Sequence, residues 1–274
     1  MKQSFSVCMS IYKNDKPVDV IIALDSIIHQ SVPPTEIVLI VDGPVPEALE
    51  VVLNDFEGRY ADLFHIIRLP QNGGLGNALR LAVDHAKYEL IARMDSDDIS
   101  MPGRFEKQLA CFKQDPQLSI VGGAISEFIN HPDNVVGLRI CPQTDVEIRE
   151  YMKARCGYNH MTVMFRKSEV LRVGSYQDWF WNEDYYLWIR MLLGGCKFAN
   201  LPDVLVNVRV GRDMYARRGG WKYFKSEAKL QHYMWKNGVI GLGRYIYIVA
   251  IRFAVQVAMP NSIRGWVFRT FARK

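Results

Sequence analysis

The sequence lacks the cysteine patterns that define a disulfide-rich or zinc-binding protein. Its five cysteines stand singly at positions 8, 111, 141, 156 and 196, an odd number with no CxxC pair. Disulfide frameworks and zinc sites use paired or closely spaced cysteines. The cysteine usage therefore favours a reducing, cytoplasmic compartment.

Long hydrophobic runs are also missing. No run approaches the roughly 20 apolar residues of a membrane-spanning helix, and Met1-Lys2-Gln3 leads directly into the strand-like FSVCMSIY, unlike a secretory signal. We therefore expect a protein that is neither exported nor membrane-spanning. With 49% hydrophobic and 23% charged residues over 274 positions, the composition is typical of one folded α/β domain with an appended segment.

Acidic residues are absent from residues 239–274, which carry five arginines and Lys274. Subtracting these six cations from the net charge of +5 leaves −1 for residues 1–238. A nearly neutral body is a poor footprint for nucleic acid, so we expect no nucleic-acid partner. The basic segment indicates an anionic partner surface instead.

Short apolar runs alternate with helical patterns in the first half, as in βα units around a mostly parallel sheet. The predicted strands are FSVCMSIY, EIVLIVDGP, FHIIRLP and YELIARMD, and the predicted helices cover residues 17–30, 46–60 and Leu75–Lys87. After residue 120, VGGAISEF and VVGLRI predict antiparallel strands, and HMTVMFRKS predicts a further strand. NEDYYLWIRMLLGG predicts an amphipathic helix that ends at Gly194-Gly195.

Polar clusters follow three of the predicted strands: Ser10–Asp15, Asp42-Gly43-Pro44 and Asp95–Asp98. In a doubly wound sheet ligands bind beyond the carboxyl ends of the strands, so these clusters should share one crevice. Two carboxylates one residue apart at a strand end can reach the same Mg²⁺ or Mn²⁺ ion, with positions left for phosphate oxygens. The alternative is an acidic turn or helix N-cap.

Six separated blocks resemble the family 2 glycosyltransferases of the GT-A fold. In chain order they are SVCMSIYKND, LDSIIHQS, EIVLIVDGP, NGGLGNAL, ELIARMDSDDISMPGRFEKQL and NEDYYLWIRM, over about residues 4–210. The resemblance implies an α/β protein with a GT-A-type, mostly parallel sheet flanked by helices. It implies a catalytic domain over 1–215, with a Rossmann-like nucleotide-binding half (about 1–118) and an acceptor half (about 119–215). A helical, basic segment over 216–274 would follow.

The resemblance also implies roles on the nucleotide side. Ser10, Tyr12 and Asp15 would lie beside the base and ribose, although the family's usual Pro-x-Tyr-Asn is Ser10-Ile11-Tyr12-Lys13 here. Asp42 would accept a hydrogen bond from uracil N3, with Gly43 in place of the family's second Asp. Asp95 would approach the ribose or the metal, and Asp97 would bind the metal that bridges the diphosphate. Arg80 would reach the nucleotide or a phosphate, or else be solvated.

On the acceptor side, Glu183-Asp184 matches the family's catalytic acidic pair, with Asp184 as the base. A carboxylate suits this step because the attacking hydroxyl must lose its proton; the alternative is that both acids favour a helix N-terminus. Trp179 and Trp181 are candidates for acceptor contact, whereas Trp188 is expected in the core. His160 would contact a donor phosphate or the acceptor, or else be a packed histidine.

The predicted tail helix, residues 244–259, places Arg244, Arg252 and Gln256 within about 120° of one another, which leaves a wide apolar face. With residues 260–274 it resembles an interfacial helix whose apolar side enters the membrane boundary while its bases meet anionic lipid. Capping of the core, or a dimer contact, is the alternative. Arg209, Arg212, Arg217, Arg218 and Lys222 form a second basic stretch that would close over a diphosphate or be solvated.

The function that the resemblance implies is inverting transfer of a hexose from a UDP-sugar to a saccharide or lipid-linked glycan, with Mn²⁺ or Mg²⁺. A sugar nucleotidyltransferase is the rival enzyme, but it should carry a glycine-rich phosphate loop after the first strand, and SIYKNDKP lacks glycine. A basic membrane- or nucleic-acid-binding protein is the rival without catalysis. It would account for the tail and leave the acidic clusters unexplained.

Overall fold

Nine strands form a single sheet in the computed structural model, which describes residues 3–211 and 220–258. In chain order these strands are β1 (Phe5–Ile11), β2 (Glu36–Val41), β3 (Phe64–Arg68), β4 (Leu90–Arg93), β5 (Ile99–Ser100), β6 (Leu118–Phe128), β7 (Val135–Arg139), β8 (Met164–Arg166) and β9 (Lys197–Arg209). Their order across the sheet is β3-β2-β1-β4-β8-β6-β9-β5, and β7 pairs with β6.

Helices cover both faces of this sheet. They are α1 (Pro17–Ile28), α2 (Glu47–Arg59), α3 (Leu75–His85), α4 (Arg104–Gln114), α5 (Asp145–Tyr151), α6 (Lys167–Arg172), α7 (Glu183–Leu193), α8 (Trp221–Lys236) and α9 (Leu242–Phe253). A 3₁₀ turn spans His160–Thr162, and α9 continues as a π-helical segment, Ala254–Ala258.

The first four long strands form the parallel half of the sheet. β1 pairs in parallel with β2 and β4, and β2 pairs in parallel with β3. Every residue of β2 is buried, as expected for a strand covered on both faces. One core cluster gathers apolar residues of α1, α2 and α4 on one face, and a second gathers those of α3, α6 and α7 on the other.

The second half of the sheet is mixed. β8 runs antiparallel to β4 and to β6, and β7 runs antiparallel to β6, as the sequence predicts. The longest strand, β9, is not predicted: it pairs in parallel with β6 along most of its length and antiparallel with the short β5. Pro202 and Asp203 interrupt its apolar pattern. The strand forms because its backbone pairs with β6, an interaction that the local sequence does not indicate.

The C-terminal segment is helical, as predicted, up to the last described residue. In α9, Arg252 faces the protein, where it pairs with the buried Glu227 of α8 and donates to the Ala154 carbonyl at 3.1 Å, whereas Arg244 is exposed and pairs with Glu150 of α5. Gln256 is only 4% exposed, whereas Tyr247 is 65% exposed. The expectation that the bases of this helix meet lipid is therefore wrong for Arg252, because its charge is neutralised inside the protein. Residues 259–274 lie outside the described residues.

Within residues 3–211 and 220–258, no helix is long and apolar enough to cross a membrane. The five cysteines are all free, in keeping with their scattered positions in the sequence.

Candidate active site

The three predicted strand-end clusters lie at one edge of the sheet, because β1, β2 and β4 run in parallel as neighbours. After β1, the chain turns so that the Asp15 carboxylate accepts the Tyr12 amide at 2.9 Å. Ser96, in the loop after β4, lies close enough to the same carboxylate to oppose the rise in the pKa of Asp15. The loops that follow β1 and β4 therefore lie next to each other.

The strand-end acids, Asp95, Asp97 and Asp98, have three different environments. Asp95 Oδ2 lies 2.6 Å from Nη1 of the buried Arg93. Asp97 is exposed. Asp98 is 2% exposed and accepts the backbone amide of Arg209 at 2.9 Å. Asp98 thus holds the loop in place, and Asp97 is the strand-end acid that is open to a ligand.

Carboxylates crowd this edge. Partial desolvation and the charges of Asp95 and Asp15 raise the pKa of Asp97 to about 6. Burial raises the pKa of Asp15 as well, with the charge of Asp95 adding to the rise. A cluster of this kind is stabilised by a cation, and its all-oxygen donor set suits Mg²⁺ or Mn²⁺.

The described residues provide an incomplete metal cage: among them no three His, Cys, Asp or Glu side chains converge to hold an ion. Asp95 and Asp97 fit a cation that takes one or two carboxylates from the protein and its remaining oxygens from a diphosphate and water.

Arg209, at the end of β9, fixes the strand-end loop from the opposite side. Its Nε donates to the Asp97 carbonyl at 3.2 Å, and its Nη2 pairs with Asp19 of α1 at 3.0 Å. The sequence predicts that the second basic stretch either closes over a diphosphate or is solvated. Arg209 does neither, because both of these contacts are with the protein. Arg212, Arg217 and Arg218 lie outside the described residues.

Asp42, after β2, is 3% exposed and anchors the NGG loop. Its carboxylate accepts the amides of Gly73 and Gly74 at 2.7 and 3.0 Å and the Asn72 side chain at 2.9 Å. These donors occupy three of about four acceptor sites of a carboxylate. Gly74, with φ +85°, precedes α3, so the glycines form a turn and helix start. A contact between Asp42 and uracil stays a prediction.

The remaining nucleotide-side candidates lie around the same edge. Ser10 is half-buried near the end of β1, and Tyr12 is exposed just beyond it. Arg80 is exposed on α3, the helix that the NGG loop begins. Their contacts with a nucleotide stay predictions.

The helix-start acids, Glu183 and Asp184, begin α7, which packs against the first turn of α3. A Cβ on Gly76 would lie 2.9 Å from the Gln177 carbonyl oxygen and 3.3 Å from Glu183 Cβ, so only glycine allows this approach. Burial, together with the charge of Asp184, raises the pKa of Glu183 to about 7; Arg93 opposes the rise and Asp95 adds to it. Glu183 therefore lies within electrostatic reach of the strand-end acids.

Asp184 is held by different partners. Its Oδ1 accepts the Tyr185 amide at 2.6 Å, and its Oδ2 accepts the Cys156 thiol at 3.7 Å. Burial raises the pKa of Asp184, while these hydrogen bonds and the charges of Arg93 and Arg139 oppose the rise. Both acids thus have a pKa above that of an ordinary carboxyl group. A raised pKa suits a carboxyl group to proton transfer near neutral pH.

The three tryptophans near these acids differ in burial. Trp188 is fully buried in the core, as predicted. Trp179 packs against Tyr186, with ring centroids 4.2 Å apart, and donates to the Ser226 carbonyl of α8 at 3.3 Å. Trp181 is 46% exposed and has a φ of +57°, a strained conformation for a bulky residue and one often kept at functional sites.

Ser226 of α8 holds the segment that leads into α7, and no sequence signal points to it. Its hydroxyl donates to the Phe180 carbonyl at 2.6 Å and accepts the Asn182 side chain at 3.2 Å. Together with the Trp179 contact, one residue of α8 fixes three positions directly before Glu183. The orientation of the helix-start acids thus depends on the C-terminal segment.

His160, in the turn before β8, is engaged by its neighbours. Its Nε2 lies 2.9 Å from the Tyr176 hydroxyl, and its ring meets Trp188 edge-on. Burial and the nearby charge of Arg93 hold its pKa well below the usual value. His160 is therefore neutral at pH 7, and a contact with phosphate or acceptor stays a prediction.

The chain is similar to known transferases. A family model described as "Glycosyl transferase family 2" matches residues 6–178. The chain is 40% identical over 228 residues to the amylovoran biosynthesis glycosyltransferase AmsE of Erwinia amylovora, covering 82% of this chain and 84% of that protein. It is 34% identical over 270 residues to UDP-Gal:alpha-D-GlcNAc-diphosphoundecaprenol beta-1,3-galactosyltransferase of Escherichia coli, covering 98% and 97%.

Among solved structures, GalNAc-T7 with UDP, GalNAc and Mn²⁺ is similar with a TM-score of 0.70 at 16% identity, over 99% of this chain and 55% of that chain. The class that fold and site define is the glycosyltransferases of the GT-A fold. The chain belongs to glycosyl transferase family 2.

Proposed function

We propose that this glycosyltransferase moves a hexose from a UDP-sugar to a hydroxyl of a saccharide or lipid-linked glycan, with inversion, and that it requires Mn²⁺ or Mg²⁺. The observation that carries the proposal is that two groups of acids lie within electrostatic reach of one another: the strand-end acids after β4 and the helix-start acids of α7. A relative whose name specifies UDP-Gal and a diphosphoundecaprenol-linked GlcNAc supports the donor and acceptor classes.

The donor would lie over the ends of β1, β2 and β4. Ser10, Tyr12 and Asp15 would contact the base and ribose, Asp42 would use its remaining acceptor site toward uracil, and Arg80 would approach a phosphate. Asp95 and Asp97 would hold the cation. When bound, the cation would neutralise charge on the diphosphate.

The acceptor would lie between the strand-end acids and α7, with Trp181 as the exposed ring against a sugar face and Trp179 and His160 at the margin. Asp184, next to Glu183, is the proposed base. It would take the proton of the acceptor hydroxyl as that oxygen bonds to the anomeric carbon. The bond from this carbon to the diphosphate oxygen breaks, its electron pair leaves with UDP, and a single displacement inverts the configuration.

The test is to incubate the protein with UDP-galactose, UDP-glucose or UDP-N-acetylglucosamine, Mn²⁺ and a saccharide acceptor, and to measure UDP release and product. Asp97→Asn should lose metal-supported UDP binding, whereas Asp184→Asn should keep binding and lose transfer. Asp62→Asn, an exposed acid before β3, is the control and should change neither.

Each other outcome has a distinct meaning. Normal turnover in Asp184→Asn with loss in Glu183→Gln would move the base to Glu183, whose pKa the charge of Asp95 helps to raise. Release of pyrophosphate instead of UDP would identify a sugar nucleotidyltransferase. Full activity in EDTA would remove the metal from the proposal.

We further infer that α9 docks on an anionic membrane surface, which the cysteine usage suggests is the cytoplasmic face. Because Arg252 pairs with Glu227 of α8 and Gln256 is buried, the exposed side of α9 is mostly apolar. It presents Leu242, Ile246, Tyr247, Ile251 and Phe253, together with the exposed Arg244. Trp221 is also exposed and packs against Phe253, with Lys225 over its ring and Lys222 next to it in sequence. An apolar face flanked by cations suits anionic lipid headgroups.

Flotation with phosphatidylglycerol vesicles and with phosphatidylcholine vesicles tests this docking. Ile246→Glu with Tyr247→Glu should leave the protein unbound, whereas Val51→Glu, on the exposed side of α2, should bind like the wild type. Equal flotation of all three would overturn the docking proposal. Salt-sensitive binding to phosphatidylglycerol alone would support it.

A further inference from the structure

Arg93, the last residue of β4, is a charged side chain in an apolar setting. Ile91, two positions earlier and therefore on the same face of β4, belongs to the core cluster that contains Tyr176 and Trp188. Arg93 is 2% exposed. Burying a guanidinium is unfavourable unless anions or acceptors surround it. Its position therefore calls for negative partners on the adjacent loop and helix.

Asp95 is the nearest of these partners. Arg93 Nη1 lies 2.6 Å from Asp95 Oδ2, and the Asp95 side chain remains 30% exposed toward solvent. The backbone of Arg93 is also held in place, because the Arg104 guanidinium donates to the Arg93 carbonyl oxygen at 2.7 Å. Asp95 is thus held at a defined position between a buried cation and the open edge of the sheet.

The guanidinium retains an unused donor. Nη1 is engaged by Asp95, but Arg93 Nε is buried and has no hydrogen-bond acceptor among the described residues. Glu183 and Asp184 lie within electrostatic reach of the same charge, as do His160 and Tyr176. Arg93 is therefore a buried cation that pairs with one strand-end acid and lies within electrostatic reach of both helix-start acids.

We propose that Arg93 is a positioning residue: its buried guanidinium fixes Asp95 for the metal-bound nucleotide and is the shared counter-ion of the strand-end and helix-start acids. This inference rests on the proposed function, since Asp95 matters in this way only if the edge binds a metal and a nucleotide. A lysine keeps the charge but not the planar fork of donors, whereas a methionine keeps neither.

The experiment measures UDP binding by calorimetry with Mn²⁺ and with EDTA, in the wild type, Arg93→Lys and Arg93→Met. In Mn²⁺, Arg93→Met should weaken binding by at least about tenfold, in the range of a lost charged hydrogen bond, and Arg93→Lys should recover part of it. Binding in EDTA should be the same in all three. Arg68→Met, at an exposed arginine that ends β3 of the same sheet, is the matched control and should bind like the wild type.

A double-mutant cycle separates positioning from general damage. If Arg93 acts through Asp95, then Arg93→Met combined with Asp95→Asn should bind no more weakly than Asp95→Asn alone. Additive losses would overturn the proposal, as would wild-type Mn²⁺-dependent binding in a folded Arg93→Met. If Arg93→Met does not fold, Arg93→Lys decides: unchanged Mn²⁺-dependent binding and an unchanged KM for the donor overturn it. Absence of Mn²⁺-dependent UDP binding in the wild type would instead overturn the proposed function itself.

Discussion

Replacing Glu183 with glutamine should stabilise the protein above neutral pH. Burial and the charge of Asp184 raise the pKa of this carboxyl from 4.5 to about 7. A folded-state pKa above the unfolded value means that the folded protein binds more protons between these two values. The free energy of unfolding therefore falls as the pH rises from about 4.5 to about 7, and Glu183 opposes folding above that window.

The magnitude follows from the same values. At about 1.4 kcal/mol per pH unit, a rise from 4.5 to about 7 sets an upper bound of about 3.5 kcal/mol. The carboxyl is half-buried, so solvent screens part of this effect, and we expect a gain on the order of 2 kcal/mol at pH 8.5 for Glu183→Gln. Below pH 4.5, where the native carboxyl is already neutral, the variant should match the wild type.

Urea unfolding at pH 4.2 and pH 8.5, without divalent metal and followed by tryptophan fluorescence, measures both values. Glu169→Gln is the control of opposite sign, because its ion pair with Arg172 lowers the pKa of Glu169. That variant should lose stability at pH 8.5 and little at pH 4.2. If Glu183→Gln also loses stability at pH 8.5, the raised pKa is wrong. If Glu183→Gln is more stable but less active than the wild type, Glu183 serves function at a cost in stability.

Three further substitutions test the supports of the site. Gly76→Ala should lower both the melting temperature and turnover, because the added methyl group would lie 2.9 Å from the Gln177 carbonyl oxygen. Gly58→Ala is the control: its methyl group would meet nothing within 4 Å, so this variant should be neutral or stabilising in a thermal melt. Ser226→Ala should reduce kcat and leave Mn²⁺-dependent UDP binding intact; equal loss of both would contradict a local role before Glu183. Trp188→Ala should reduce the free energy of urea unfolding by about 3–5 kcal/mol, and an equally large loss in the exposed Trp221→Ala would show that burial is not the cause.

Much of the fold could be predicted from sequence because its first half alternates apolar strands with amphipathic helices. β1 to β4 and α1 to α3 fall where the pattern places them, and the antiparallel β6 and β7 follow. β9 could not be predicted in this way, because Pro202 and Asp203 break its apolar pattern and its pairing partner β6 begins 79 residues earlier in the chain. The two-residue β5 exists only as a partner of β9.

For the site, the sequence by itself determined that acids follow β4 and begin α7, since strand ends and helix starts are local patterns. Only the tertiary structure decided that Asp95 pairs with Arg93, that Asp97 is exposed and that Asp98 accepts the backbone amide of Arg209. The C-terminal helix follows the same division. Its polar stripe is visible in the sequence, but the direction in which the stripe faces is not. Arg252 faces inward because the buried carboxylate of Glu227 on α8 needs a cation as its partner, whereas an apolar helix face has no such requirement.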